Sequence, residues 1–145
     1  MNYNKSYNFL KKLPKKLNSF YKKKSKFSFK VDNKSKTIKD FDPVTNIDRG
    51  FDRYIRSLIH KSFPGDSIIG EEFEDKFTSS DFQWCIDPID GTRAFIIGAP
   101  TWSNLIGLSF KNKSILGLAN FPELNKFYIG DKKNLMWLKI NKILF

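Results

Sequence analysis

The segment Trp84–Thr92 reads WCIDPIDGT, and it decides the interpretation of this 145-residue chain. Its first residues are typical of a buried strand that ends at a pair of acids. Pro88 ends ladder hydrogen bonding, so Asp87 and Asp90 can turn toward one point. Gly91 then lets the backbone bend and approach a ligand closely.

The residues after this strand offer groups that suit an oxyanion. Thr92 supplies a hydroxyl, and a short helix is predicted over residues 92–97. The first N–H groups of a helix have no partner within it, so they favour an anion such as phosphate.

A second pair of acids, Glu71 and Glu72, follows another short predicted strand. Two carboxylates about 4 Å apart repel by roughly 4 kcal/mol at an effective dielectric constant near 20. Several converging carboxylates would therefore share protons or destabilise the fold, and a divalent cation removes this conflict. All the candidate ligands are oxygens, which favours Mg²⁺, Mn²⁺ or Ca²⁺ over zinc.

Each of these pieces also has an ordinary structural interpretation. A Glu-Glu pair after a strand is usually solvated, and an Asp-Pro pair is usually a turn. The ordered combination, with Asp87 fifteen residues after Glu72 and behind an apolar strand, favours a metal site.

Hydrophobic periodicity predicts two helices followed by strands. Apolar residues recur every three or four positions over residues 3–24, where Pro14 indicates a kink or a helix start. A second helix is predicted from Phe51 to Phe63, with Asp48 as its N-cap, and residues 27–47 are expected to be irregular or extended. Strands are predicted at residues 67–69, 84–86, 102–110, 114–119 and 126–129. The result is an α+β fold with two helices packed on an antiparallel sheet.

The net charge of +11 belongs to the N-terminal segment alone. Residues 1–40 hold 13 lysines and two acids, whereas the remaining residues hold 13 basic and 13 acidic side chains. A nucleic-acid-binding domain usually has a basic face throughout, so we predict no nucleic-acid partner. No apolar run approaches the ~20 residues of a membrane span, so we predict no membrane partner either. The single cysteine, Cys85, is expected in the core, and its isolation fits a cytoplasmic protein.

Three motifs together resemble the inositol monophosphatase family, whose members are lithium-sensitive, Mg²⁺-dependent phosphomonoesterases. They are Asp42–Asp48 (DPVTNID), Ile69–Glu72 (IGEE) and Trp84–Thr92. Within the family, the stretch Asp90–Trp102 (DGTRAFIIGAPTW) looks most like the histidinol-phosphate phosphatase branch. The resemblance therefore implies hydrolysis of L-histidinol phosphate to L-histidinol and phosphate, a step of histidine biosynthesis.

The resemblance also implies a ligand set for two or three Mg²⁺ ions, with Mn²⁺ as a possible substitute. Glu71 and Asp87 would bind the first ion together with the carbonyl of Ile89. Asp87 would bridge to a second ion that Asp90 also holds.

The remaining site residues follow from the same resemblance. Asp48 and Thr92 would position and deprotonate the attacking water. Together with the ligand Glu71, they are the predicted catalytic residues. The amides of Gly91 and Thr92 would hold the phosphate. Glu72 would lie behind the ligands, and Lys34 is a weaker match to a lysine near the site in some members.

Members of the family are nearly twice as long as this chain. We therefore expect residues 1–145 to be the N-terminal part of such a domain, with the C-terminal α/β half absent. The expected partners are a small phosphorylated metabolite and either a second copy in a dimer or a complementing C-terminal fragment. The alternatives are an inositol-1-phosphate phosphatase, a 3'(2'),5'-bisphosphate nucleotide phosphatase and an inactive, truncated remnant of the family.

Overall fold

The computed structural model describes residues 3–24, 29–35, 43–131 and 135–139. The helices are α1 (Tyr3–Lys24), α2 (Asn46–Ser62) and α3 (Thr92–Ile96). The strands are β1 (Val31–Asn33), β2 (Pro43–Thr45), β3 (Ser67–Gly70), β4 (Phe82–Asp90), β5 (Ser103–Phe110), β6 (Lys113–Phe121), β7 (Lys126–Asp131) and β8 (Leu135–Lys139).

Strands β3 to β8 form one six-stranded sheet in chain order, and β1 pairs with β2 in a separate antiparallel ribbon. The predicted α+β fold is confirmed, and so is the antiparallel meander of the strands predicted at residues 102–110, 114–119 and 126–129. The meander also includes β4 on one side and β8, which is not among the predicted strands, on the other. The sheet is mixed, however, because β3 runs parallel to β4. The long connection over residues 71–81 makes this possible, since parallel neighbours cannot be joined by a tight hairpin.

Helix α1 is continuous through Pro14. Leu10 and Leu13 before the proline and Leu17 after it are all fully buried on one stripe. Each such side chain contributes about 1.5–3 kcal/mol by burial, which together offsets the roughly 3 kcal/mol cost of an internal proline. Of the two outcomes predicted at Pro14, a kink or a helix start, the start is wrong because the helix begins at Tyr3.

Helix α2 begins with a capping box. The Thr45 side chain accepts hydrogen bonds from the N–H groups of Ile47 and Asp48, and the Asp48 carboxylate accepts the N–H of Thr45. The N-cap is therefore Thr45, and the prediction that Asp48 caps the helix is wrong. Its carboxylate reaches back to the cap from the third helical position.

The core lies between the two long helices and one face of the sheet. Phe51, Ile55 and Ile59 of α2 pack with Trp84 of β4, and all four are fully buried. Cys85 points from the opposite face of β4 and is half-buried, so its predicted place in the core is wrong. The strand alternates between its two faces, and the neighbouring Trp84 takes the helix side.

The opposite face of the sheet is an open groove of about 740 Å³. Residues of β3 to β7 line it, among them three glycines of β5, β6 and β7, and Glu71 and Asp87 belong to the same lining. Among the described residues, no helix combines the length and the apolar character that a bilayer span requires.

Candidate metal and phosphate site

A bulge at the end of β4 brings two acids to the same side of the strand. Residues three apart on a regular strand face opposite ways. The pairing with β5 shifts between Asp87, opposite Leu105, and Asp90, opposite Ser103, so β4 holds one extra residue there. Pro88 lies inside the bulge, where a missing N–H costs no ladder bond.

A chain of buried amides fixes this turn to the rest of the molecule. Asn104 Nδ2 donates to the carbonyl of Pro88 at 2.6 Å. Asn120 Nδ2 donates to Asn104 Oδ1 at 2.8 Å and to Asn18 Oδ1 of α1 at 2.9 Å. Buried polar groups that bond to one another hold a single geometry, so the turn between the two acids is rigid.

Asp87 carries the strongest electrostatic signature of the site. Its Oδ1 atom is buried and has no hydrogen-bond partner. Burial, and after it the charges of Glu71, Asp90 and Asp48, raise the pKa of this carboxyl from 3.8 to about 6. The charges of three acids that the resemblance implies for the site therefore act together on Asp87.

Glu71 and Glu72 meet an ammonium group from the β1–β2 region. Lys34 Nζ lies 2.8 Å from Glu71 Oε1 and 2.6 Å from Glu72 Oε1. The side chain of Glu72 is 4% exposed and that of Glu71 is 51% exposed. Burial of Lys34 lowers its pKa, but the hydrogen bonds to both glutamates outweigh this effect and leave the pKa raised. Lys34, which the resemblance implies near the site, thus contacts both glutamates directly.

Asp48 and Thr92 meet across two elements. Thr92 Oγ1 is 3.3 Å from Asp48 Oδ1 and 3.1 Å from the carbonyl oxygen of Ile89, so its single proton goes to one of these oxygens at a time. The other oxygen of Asp48 accepts hydrogen bonds from both the hydroxyl and the N–H of Thr45. Burial raises the pKa of Asp48 in spite of these bonds. A carboxylate with a raised pKa is a better proton acceptor, as a general base requires.

Gly91 joins the turn to α3 in a left-handed conformation, with φ of 84°. Most side chains are strained there, so glycine is required for the chain to turn directly from Asp90 into the helix. The predicted short helix is confirmed as Thr92–Ile96, one residue shorter than expected.

The donor chemistry of the site fits a hard divalent cation. All side-chain donors are carboxylate oxygens, and the unpartnered Asp87 Oδ1 is a buried acceptor that a cation would satisfy. The acidic side chains do not lie close enough together to surround an ion. Within the part of the chain that the structure describes, no three acidic, histidine or cysteine side chains are close enough to hold an ion. Glu71 is instead paired with Lys34, and Asp90 accepts a hydrogen bond from Ser103 Oγ at 3.3 Å.

Some residues of the site escaped sequence reasoning. The sequence analysis identifies the apolar stripe of α2. It does not identify the polar stripe beside it, which consists of Asp48, Asp52 and Arg56. Its signal was a spacing of four residues between charged side chains, which places them on one helix face. Asn104 gave no sequence signal, since its role depends on pairing between distant strands. Asp42, the first residue of the DPVTNID motif, lies outside the described residues.

With this geometry established, comparison with known proteins identifies the family. The model of the inositol monophosphatase family matches residues 3–143, and this chain belongs to that family. It is 40% identical over 94 residues to a histidinol-phosphatase of Chlorobaculum parvum, a match that covers 65% of this chain and 36% of that protein.

Solved structures agree with this assignment at the level of the fold. A staphylococcal IMPase-I complexed with products superposes with a TM-score of 0.82 and 16% identity, over 96% of this chain and 53% of that one. An IMPase/NADP phosphatase complexed with Mg²⁺ and phosphate gives a TM-score of 0.70 and 19% identity, over 90% of this chain and 52% of that one. The chain thus spans between about a third and a half of the length of these proteins.

Proposed function

We propose that this chain carries the cation-binding and phosphate-binding half of a Mg²⁺-dependent phosphomonoesterase, with L-histidinol phosphate as its substrate. The observation that carries the proposal is the buried, unpartnered Asp87 Oδ1 in the field of Glu71, Asp90 and Asp48. Family membership supports the reaction class, and the similarity to a histidinol-phosphatase supports the substrate. The Mg²⁺ and phosphate bound to the similar IMPase/NADP phosphatase support the cofactor.

The residues proposed to hold the cations are Glu71, Asp87, Asp90 and the carbonyl of Ile89. When bound, divalent cations lower the pKa of a water molecule and neutralise phosphoryl oxygens, which this slow hydrolysis requires. The protein's contribution is to hold the ligands rigidly, through the bulge of β4 and the amide of Asn104. The ammonium of Lys34, 2.8 Å from Glu71 Oε1, competes with a cation for that oxygen.

The proposed chemistry at the attacking water belongs to Asp48 and Thr92. The Thr92 hydroxyl donates to Asp48 and accepts from the water, which orients a lone pair of the water toward phosphorus. The proton that the water loses passes through Thr92 toward the buried carboxylate, whose raised pKa favours its acceptance. The ester P–O bond breaks, and the leaving alkoxide takes a proton from solvent water to give the free alcohol. Asp48 then returns its proton to the solvent. The amides of Gly91 and Thr92 hold the phosphoryl oxygens at the start of α3.

A phosphate-release assay tests this proposal. The purified chain is incubated with Mg²⁺ and L-histidinol phosphate, with D-inositol-1-phosphate and adenosine 3',5'-bisphosphate as competing candidates. We expect release to be fastest with L-histidinol phosphate and to be lost in Asp87→Asn and in Asp90→Asn. Asp81→Asn is the matched control, because Asp81 is an exposed acid immediately before β4. Full activity in the Asp87 variant would overturn the assignment of the site.

The second candidate is a chain that binds cations but needs a further polypeptide for catalysis. Two observations favour it: the chain spans about half of the similar structures, and its acids do not yet form a closed ligand sphere. The proposed partner covers the open groove of the sheet, and it is a complementing C-terminal fragment or a second copy of this chain. Cation binding with no phosphate release from the isolated chain would favour this candidate over the first.

A further inference from the structure

The loop over residues 71–75 carries two of the acids of the site, and its base is closed by backbone bonds. Ile68 and Lys76 exchange both of their N–H···O bonds at 2.8 Å. The carboxylate of Asp75 accepts the N–H of Gly70 at 3.2 Å. These bonds fix the two ends of the loop, but they leave the orientation of its outer residues to other contacts.

Arg56 of α2 supplies contacts to that outer part. Its Nη1 atom donates to the carbonyl of Glu74 at 3.0 Å, and its Nη2 atom donates to the carbonyl of Phe73 at 3.1 Å. Its Nε atom donates to the carboxylate of Asp52, whose side chain is fully buried. The guanidinium is planar and carries its donors in a fixed fork, so it sets both the distance and the angle of the loop.

The backbone at Gly70 lies close to the guanidinium of Arg56. A Cβ atom on Gly70 would lie 2.9 Å from Arg56 Nη2 and 3.1 Å from Asp52 Oδ2. The chain immediately before Glu71 is therefore pressed against the ion pair. The N–H of Glu72 also acts on Asp52, since it lowers the pKa of that carboxyl, although burial raises the pKa overall.

This arrangement couples the two halves of the proposed site. Asp48, Asp52 and Arg56 are spaced by four residues, so they share one face of α2. Helix α2 therefore carries the proposed base, Asp48, in its first turn. Two turns further along, Arg56 of the same helix holds the loop of Glu71. A buried ion pair adds little net stability compared with apolar side chains of similar size, so stability alone does not account for this one.

We propose that Arg56, held in place by Asp52, is a positioning residue that sets the place of the Glu71 carboxylate in the cation site. The proposal rests on the proposed function, because it assumes that Glu71 is a ligand. Arg56 touches neither the cation nor the substrate, and it acts through the carbonyls of Phe73 and Glu74. Partners of metal ligands commonly change metal affinity by 10–100-fold when they are removed.

Mn²⁺ titration of the full chain, followed by the EPR signal of the free ion, tests this role. We expect Arg56→Gln to weaken Mn²⁺ binding by about 10-fold or more. Arg56→Lys should also weaken it, because a lysine keeps the charge beside Asp52 but cannot bond both loop carbonyls in a fixed plane. Arg49→Gln is the matched control: it removes an arginine of the same helix from an exposed pair with Asp32, and it should leave the affinity unchanged.

The outcomes separate this proposal from the proposed function. Glu71→Gln should abolish tight Mn²⁺ binding, and wild-type affinity in that variant would overturn the cation site itself. If Glu71→Gln loses binding while both folded Arg56 variants keep wild-type affinity, the positioning role is wrong and the cation site stands. Circular dichroism at the titration temperature establishes folding. If Arg56→Gln does not fold, the Lys variant decides the question, because it retains the charge opposite Asp52.

Discussion

Replacing Asp87 with asparagine is expected to stabilise the metal-free chain while it destroys the cation site. Asparagine has nearly the same shape as aspartate but carries no charge. The Asp87 carboxylate is repelled by Glu71, Asp90 and Asp48 and is partly removed from water. A neutral amide at this position removes both penalties, so the substitution trades function for stability.

The size of the effect follows from the raised pKa of Asp87. A rise from the ordinary 3.8 to about 6 corresponds to about 3 kcal/mol of penalty on the charged form of a fully buried group. Because the residue is only half-buried, solvent screening reduces this to roughly 1–2 kcal/mol. For a chain of this length, the gain corresponds to a rise in Tm of about 3–8 °C.

The pH dependence has a definite sign. The folded state binds this proton more tightly than the unfolded state, so the charge penalty of the wild type is absent below about pH 4. It grows as the pH rises through the window from 3.8 to about 6, and it is complete at pH 7. The advantage of the Asn variant should therefore be present at pH 7 and vanish near pH 4.

Thermal unfolding at pH 7 and pH 4 without divalent ions, and at pH 7 with Mg²⁺, measures these effects. Mg²⁺ should raise the Tm of the wild type and leave that of the Asn variant unchanged. Asp81→Asn, at an exposed acid 3.9 Å from Lys111, is the control and should change stability by less than about 0.5 kcal/mol. If the Asp87 variant is no more stable than the wild type at pH 7 without metal, the electrostatic reasoning is wrong.

The remaining predictions concern three parts of the site. Gly91→Ala should lower the free energy of unfolding in urea by about 1–2 kcal/mol, because the backbone there is left-handed. Gly65→Ala, with open space at its Cβ, should lower it much less, and equal losses would contradict the strain at Gly91. Asn104→Ala should lose about 1–3 kcal/mol, because it strips a buried hydrogen bond from the carbonyl of Pro88, and a neutral result would remove the amide chain from the account. Lys34→Met should tighten Mn²⁺ binding several-fold in calorimetry, since it frees Glu71, and weaker binding would show that the ammonium assists the cation.

Sequence reasoning recovered the elements that depend on local pattern. The stripe of α2 and the strands of the meander follow from periodicities of 3.6 and 2, which a single chain displays directly. Glu71, Glu72, Asp87 and Asp90 are predictable because each lies where a strand ends, and because few structures tolerate such a combination without a cation. The family motifs then assigned roles to Asp87 and Thr92 that no periodicity contains.

The rest could not be predicted because it depends on contacts between distant residues. The parallel pairing of β3 requires knowledge of which neighbour it meets, and the sequence is equally compatible with a hairpin. The side of the sheet on which Cys85 lies cannot be predicted, because a short apolar run does not show which face of its strand is covered. The cap of α2 was misassigned to Asp48 because both Thr45 and Asp48 are good cap formers, and only geometry separates the N-cap from the third position.

Paramagnetic broadening by Mn²⁺ tests the central claim most directly. In a ¹⁵N-labelled sample of the chain, substoichiometric Mn²⁺ should broaden the amide signals of Glu71, Glu72 and residues 87–92, which belong to different elements. The signals of β7, three strands away from β4, should be broadened less, and the broadening should disappear in Asp87→Asn. If Mn²⁺ broadens no signals, or broadens only those outside these two segments, the acids do not share a cation and the phosphatase site does not exist in this chain.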